Sequence, residues 1–197
     1  MSNPFDYITE FESALASYTG AKYAVMTDCC THALELAFRA TEVTSTEFTP
    51  YTYISIPMML MKLGIKFEYN EVEVWAGSYY FQYTNIWDSA RALYPDMYKP
   101  GQIQCLSFGH DKPMTLGRGG AILLDDQELY KQLKLMCYDG RDLNIQPWES
   151  QKEFKLGYHY KPTPEEALKG IQALSMHEGG IPEYKPYPDL RKIKINV

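Results

Sequence analysis

Residues Cys105–Asp126 read CLSFGHDKPMTLGRGGAILLDD, and the whole fold is read outward from them. An apolar run from Ile103 to Phe108 has the character of a strand and ends in Ser107-Phe108. Lys112 follows in a short polar loop, and Gly117-Arg118-Gly119-Gly120 turns the chain into a second apolar strand, Ala121–Leu124. A lysine held between two strands beside a hydroxyl is equipped to attack a carbonyl, while the hydroxyl can take an anion. Taken alone, the stretch also fits an ordinary hairpin with an exposed lysine. The flanking sequence has to decide.

Upstream, Pro4 to Tyr18 carries Phe5, Ile8, Phe11, Leu15 and Tyr18 at helical spacing, and Gly20 ends the run. Tyr23–Met26 reads as a strand, and Thr27-Asp28-Cys29-Cys30-Thr31 leads from it into a helix bearing Ala33, Leu34, Leu36, Ala37 and Phe38. Strand, polar turn and helix in that order make an anion site, because the first amides of a helix lack internal partners. Thr31 equally serves as an N-cap. Glu47–Pro50 reads as a strand end, Tyr51–Leu63 as a helix, Lys66–Tyr69 as a strand and Asn85–Asp88 as another. Residues 71–84 are aromatic and without clear period. Asp126–Tyr138 reads as a helix, and Thr163-Pro164-Glu165-Glu166 opens one more that runs to about Met176. Strands alternating with helices argue an α/β sheet, largely parallel, with ligands at the strand carboxyl ends.

Composition narrows the function classes. With 197 residues, 45% hydrophobic and 22% charged, the chain is long enough for a full core. A net charge of −6 argues against a broad nucleic-acid surface. No apolar run approaches membrane-spanning length, and MSNPFDYITE lacks the features of a secretion signal. The four cysteines show no metal-ligand spacing; adjacent Cys29 and Cys30 would make a strained disulfide, so reduced thiols and a cytoplasmic location are expected.

These pieces, in this order, resemble the DegT/DnrJ/EryC1/StrS family of sugar aminotransferases from about Phe11 to Ile171. Phe11-Glu12, Leu15-Ala16, Tyr18 and Gly20 look like the family's opening helix. Cys29-Cys30-Thr31-His32-Ala33-Leu34 stands where the family has Ser-Gly-Thr-Ala-Ala-Leu, and Thr49–Tyr53 looks like the segment whose last aromatic stacks on a ring. Asp88-Ser89-Ala90-Arg91-Ala92 is similar to Asp-Ala-Ala-Gln-Ala. Ser107-Phe108, Lys112 and Gly119-Gly120 match the lysine segment. Gly157-Tyr158-His159-Tyr160-Lys161 matches Gly-Tyr-Asn-Tyr-Arg.

The resemblance implies a three-layer α/β sandwich with a mostly parallel sheet, the large domain of the aspartate aminotransferase type. It implies pyridoxal 5'-phosphate as cofactor, with pyridoxamine 5'-phosphate in the half-reaction. Lys112 would be the catalytic residue and covalent anchor, and Asp88 would pair with the pyridine nitrogen. Tyr53 would stack on the ring. Cys29, Cys30, Thr31 and Ser107 would hold the phosphate, and Arg91 would stand at the ring oxygen. His159 would reach the phosphate of a neighbouring subunit in a homodimer. The implied reaction moves nitrogen from an amino acid such as glutamate to a keto sugar carried on a nucleotide.

Departures from the family pattern set further expectations. The closing small domain is missing, so residues 1–175 form a reduced large domain and 176–197 a Pro-rich tail. The family's extra strand and helix between Lys66 and Asp88 are absent. Cys30 replaces a glycine, so a left-handed backbone there would be strained. A different class of reading is a cofactor-binding or scaffold protein without turnover. A nucleotide-binding domain would need its glycines between a strand and a helix, whereas those at 117–120 precede a strand.

Overall fold

The computed structural model describes residues 5–71, 75–181 and 187–196. Its elements, in chain order, are α1 (Asp6–Thr19), β1 (Tyr23–Thr27), α2 (Cys30–Ala40), β2 (Ser45–Phe48), α3 (Ser55–Leu63), β3 (Lys66–Tyr69), β4 (Tyr79–Tyr80), β5 (Ile86–Asp88), β6 (Ile103–Ser107), β7 (Gly120–Leu124), α4 (Gln127–Cys137) and α5 (Pro164–Ser175). Local chemistry sets their ends. Gly20 stops α1 with φ +79, and the Asp126 side chain caps α4 by accepting from Leu129 N. Thr163 and Glu166 form a reciprocal capping box around Pro164 at the start of α5. The helix expected from Tyr51 begins only at Ser55, and Thr52 and Tyr53 line the site instead.

The main sheet has five strands in the order β1-β7-β6-β5-β4, while β2 and β3 pair separately and in parallel. The expectation of a mostly parallel sheet is corrected here. Only β5–β6 is parallel in the main sheet; β1–β7, β6–β7 and β4–β5 are antiparallel. The cause is local. β6 and β7 are joined by the lysine loop, and β4 reverses into β5 through a tight turn in which Tyr83 takes φ +65. The strands that matter for a site nevertheless agree in direction. β1 and β6 both run opposite to β7, and β5 runs with β6, so β1, β5 and β6 present their carboxyl ends on one side.

Helices cover both faces of this sheet, which makes it the middle of three layers. All five residues of β7 are buried, and they alternate between two cores. Ile122 and Leu124 pack with Leu34, Phe38 and Leu133 from α2 and α4. Ala121 and Leu123 pack with Phe11, Leu15 and Ala167 from α1 and α5. Gly170 lets α5 lie directly on the Phe11 ring, since an added Cβ would stand 2.7 Å from it. Among the described residues only β4 stands between β3 and β5, in keeping with the shortened span, and residues 72–74 of that span lie outside the description. The C-terminal segment is attached rather than free: Gly180 pairs with Leu93, and Leu190 is buried with its N–H on Pro50 O. No helix among the described residues is long and apolar enough to cross a membrane.

Candidate active site

The carboxyl ends of β1, β5 and β6 meet at a cavity of about 450 Å³. It is lined by Cys29, Cys30 and Thr31 after β1, Asp88 and Arg91 at β5, Ser107 at β6 and Lys112 from the loop beyond it. Tyr53 completes the set with a ring 57% exposed, free to present its face to a ligand. Eight of the nine residues expected at the site therefore share one cavity: all of them except His159.

The helix end is built by a close backbone approach. Cys29 is the extended N-cap of α2 and forms a bridge with Gly119, which sits at φ +125. A Cβ on Gly120 would lie 2.4 Å from Cys29 C, so only glycine lets β7 pass beneath the α2 terminus. Cys30 is already helical and is not among the positive-φ residues, so the strain expected of it does not arise. No side chain caps α2; Thr31 turns instead to Ser55, with Oγ1···Oγ 2.8 Å. The first amides of an 11-residue helix thus stand beside the hydroxyls of Thr31, Ser55 and Ser107.

Asp88 is 4% exposed and has no ion-pair partner among the described residues. Its Oδ1 accepts from Ala90 N at 2.9 Å and its Oδ2 from the Tyr79 hydroxyl at 2.8 Å. Since Tyr79 spends its proton there, the Thr52 hydroxyl at 2.7 Å is the donor to Tyr79. Burial pushes the Asp88 carboxyl above the ordinary carboxylate range, opposed by these two donors and by nearby Lys112 and Arg91. Burial and the Asp88 charge push the Tyr79 phenol well up, and the Cys30 thiol likewise, so both stay neutral. A buried carboxylate without a cation, aimed at a cavity with an anion-binding rim, matches a ligand with a cationic ring nitrogen at one end and a phosphate at the other. Pyridoxal phosphate fits that description, and Lys112 lines the same cavity. Arg91 contributes a buried Nε with no partner among the described residues.

Beside the helix end lies a network that residue-by-residue reading did not anticipate. His32 Nδ1 meets Asp28 Oδ1 at 2.6 Å, Arg118 Nη2 meets Asp28 Oδ2 at 2.8 Å, and the His32 ring stacks on Tyr160 at 3.7 Å. Burial alone would lower the His32 pKa; hydrogen bonds to Asp28 and Cys29 carry it to about 9. Burial acts against Asp28 too, yet His32 and Arg118 hold its carboxyl below the usual range. Asp28, Cys29 and His32 bring three potential metal donors within 4.8 Å, a grouping the cysteine spacing alone did not suggest. Both Asp28 oxygens are already taken, so the cluster is a hydrogen-bonded brace.

His159 is the expected site residue that its own chain does not bring to the cavity. It bridges Tyr138, its Nδ1 lies 2.9 Å from Asp139 Oδ2, and its side chain is 72% exposed. The residues missed were Thr52, Ser55, Trp75, Tyr79 and Tyr187, all of which line or directly support the cavity. Of these, Ser55 and Thr52 had a legible signal, being hydroxyls in the segment that already contained Tyr53.

The fold and the lysine cavity together define a large domain of the PLP-dependent aminotransferase type. The structure superimposes on 3-amino-5-hydroxybenzoic acid synthase with a TM-score of 0.69 at 22% identity, over 88% of this chain and 56% of that one. It matches a Helicobacter pylori aminotransferase involved in pseudoaminic acid biosynthesis with a TM-score of 0.64 at 17% identity, over 86% and 57% of the two chains. By sequence it is 26% identical to the UDP-4-amino-4,6-dideoxy-N-acetyl-beta-L-altrosamine transaminase of Campylobacter jejuni, over 85% of this chain and 56% of the relative. The family model of the DegT/DnrJ/EryC1/StrS aminotransferases matches residues 1–77 and 86–179. The chain belongs to that family. It spans about half the length of the relatives it matches, and the family match breaks at the β4 hairpin.

Proposed function

We propose that this chain binds pyridoxal phosphate through Lys112 and transfers an amino group from an amino acid such as glutamate to a keto sugar carried on a nucleotide. The observation that carries the reading is the convergence of Lys112, cation-free Asp88 and the uncapped α2 terminus on one cavity. When bound, the cofactor supplies an electron sink that stabilises negative charge on the substrate carbon.

Each residue then has a stated task. Asp88 holds the proton on the ring nitrogen, and Tyr79 fixes the carboxylate that does so. Thr31, Ser107 and the amides from Cys30 onward take the phosphate. Tyr53 would hold the ring, and Arg91, with its unpartnered Nε, would donate to the ring oxygen. Lys112 Nζ, once its amine is free, would take the proton from the donor's α-carbon as base and give it up again as acid. The amino acid leaves as a 2-oxo acid and the keto sugar as an amino sugar, so nitrogen, oxygen and protons balance. Residues 1–175 would provide most of this machinery, and from the 176–197 tail Tyr187 lines the cavity and Leu190 binds Pro50 O. Two copies would form a homodimer, and exposed His159 would serve the phosphate site of the other copy.

The test is to incubate the full chain with pyridoxal phosphate, glutamate and a nucleotide-linked keto sugar. Release of 2-oxoglutarate matched to amino-sugar nucleotide formed supports the reading. Cofactor held on Lys112 with neither product would leave a binding protein without turnover.

A further inference from the structure

Tyr187, outside the segments that carried the family resemblance, enters the cavity from the C-terminal segment. Its hydroxyl accepts a hydrogen bond from Lys112 Nζ at 3.4 Å. The Arg91 guanidinium lies 4.7 Å from its ring centroid, and the Trp75 ring lies nearly parallel at 6.4 Å. Tyr53 faces it at 6.3 Å, tilted by 59°. The placement is anchored, because Leu190 is 3% exposed and its N–H binds Pro50 O at 3.1 Å, next to the segment that carries Tyr53.

We propose that Tyr187 is a positioning residue for Lys112: its phenol oxygen aims the amine into the cavity, and its ring, seated on Arg91, forms a wall opposite Tyr53. The inference rests on the reading of Lys112 given above. A lysine side chain has four rotatable bonds and loses substantial rotamer freedom when it is fixed. A partner that pre-orders the amine removes part of that loss before reaction. The two parts of the role separate chemically. The hydroxyl acts on Lys112 alone, whereas the ring acts on the shape of the site whether or not Lys112 is present.

A double-mutant cycle with inorganic-buffer solutions of pyridoxal phosphate tests this. Attachment is followed by borohydride trapping and peptide mass spectrometry, and non-covalent affinity by equilibrium dialysis. Tyr187→Phe, isosteric and expected to melt like the parent, should slow attachment at Lys112 by roughly two- to tenfold, the worth of one hydrogen bond. In the Lys112→Ala background the same change should leave non-covalent affinity unaltered. Tyr187→Ala should weaken that affinity several-fold in both backgrounds. Attachment at the parental rate in Tyr187→Phe, or a Phe effect on dialysis that persists without Lys112, would overturn the role. Faster or tighter binding by Tyr187→Ala would overturn it too, by showing that the ring occupies the ligand's place. A parent protein labelled at another lysine would instead refute the Lys112 reading, and this proposal with it.

Discussion

Replacing Tyr79 by Phe removes one oxygen from the wall of the cavity and leaves the ring in place. The oxygen donates to Asp88 Oδ2 at 2.8 Å and accepts from Thr52 at 2.7 Å, all three groups being buried. A hydrogen bond to a buried charged group contributes about 1.5–3 kcal/mol, so its loss pushes the Asp88 carboxyl further up. The sign of the stability effect follows from linkage. The Asp88 carboxyl is raised in the fold, so its favourable contribution is present below the unfolded value of 3.8 and is lost as pH rises through the folded pKa. Tyr79→Phe deepens that loss. Urea unfolding from pH 5 to 8.5 should show a deficit that grows with pH and reaches about 1.5–3 kcal/mol at the alkaline end. Thr52→Val, which spares the Tyr79–Asp88 bond, should show a smaller deficit, about 0.5–1.5 kcal/mol, that does not change with pH. A Tyr79→Phe deficit that is flat across the range would refute the reasoning, for it would mean that the ring's packing, and not the charge on Asp88, carries the effect.

Other consequences can be checked independently. His32, held by Asp28 and Cys29, should titrate near pH 9 by NMR of its ring protons, and the stability it adds should be complete below pH 6.5 and gone above the folded value; a midpoint near 6.5 would contradict the brace. Gly120→Ala drives a Cβ to 2.4 Å from Cys29 C and should lower the melting temperature while weakening phosphate binding at the α2 terminus; unchanged melting would show that β7 can shift away. Arg118→Ala should change stability by no more than about 1 kcal/mol in urea, because the Arg118 side chain is 64% exposed.

How much of this was legible depended on the range of the signal. Helices with a regular apolar stripe, such as the one carrying Leu34 and Phe38, and caps such as Thr163-Pro164 are local patterns, and they appear where the spacing puts them. The cavity residues next to strand ends were legible for the same reason: Asp88, Ser107 and Thr31 each follow a short apolar run. Strand direction was not, because β7 inserts between β1 and β6, which are distant in sequence, and no local spacing records that. Tyr79 and Trp75 sit in an aromatic stretch with no period, and Tyr187 lies among prolines, so nothing near them announces a role. The strain expected at Cys30 failed because it assumed a left-handed turn, whereas extended Cys29 lets the helix start directly. His32 had a readable cue in its four-residue spacing from Asp28, which places both on one face of the α2 entrance.

The central claim, that Lys112 anchors the cofactor, has a direct measurement. The full chain is incubated with pyridoxal phosphate, reduced with borohydride, digested and sequenced by mass spectrometry. The account predicts a single phosphopyridoxyl mass on the peptide containing Lys112, absent from Lys112→Ala protein that remains folded. Label on another lysine, or spread evenly over surface lysines, would contradict it.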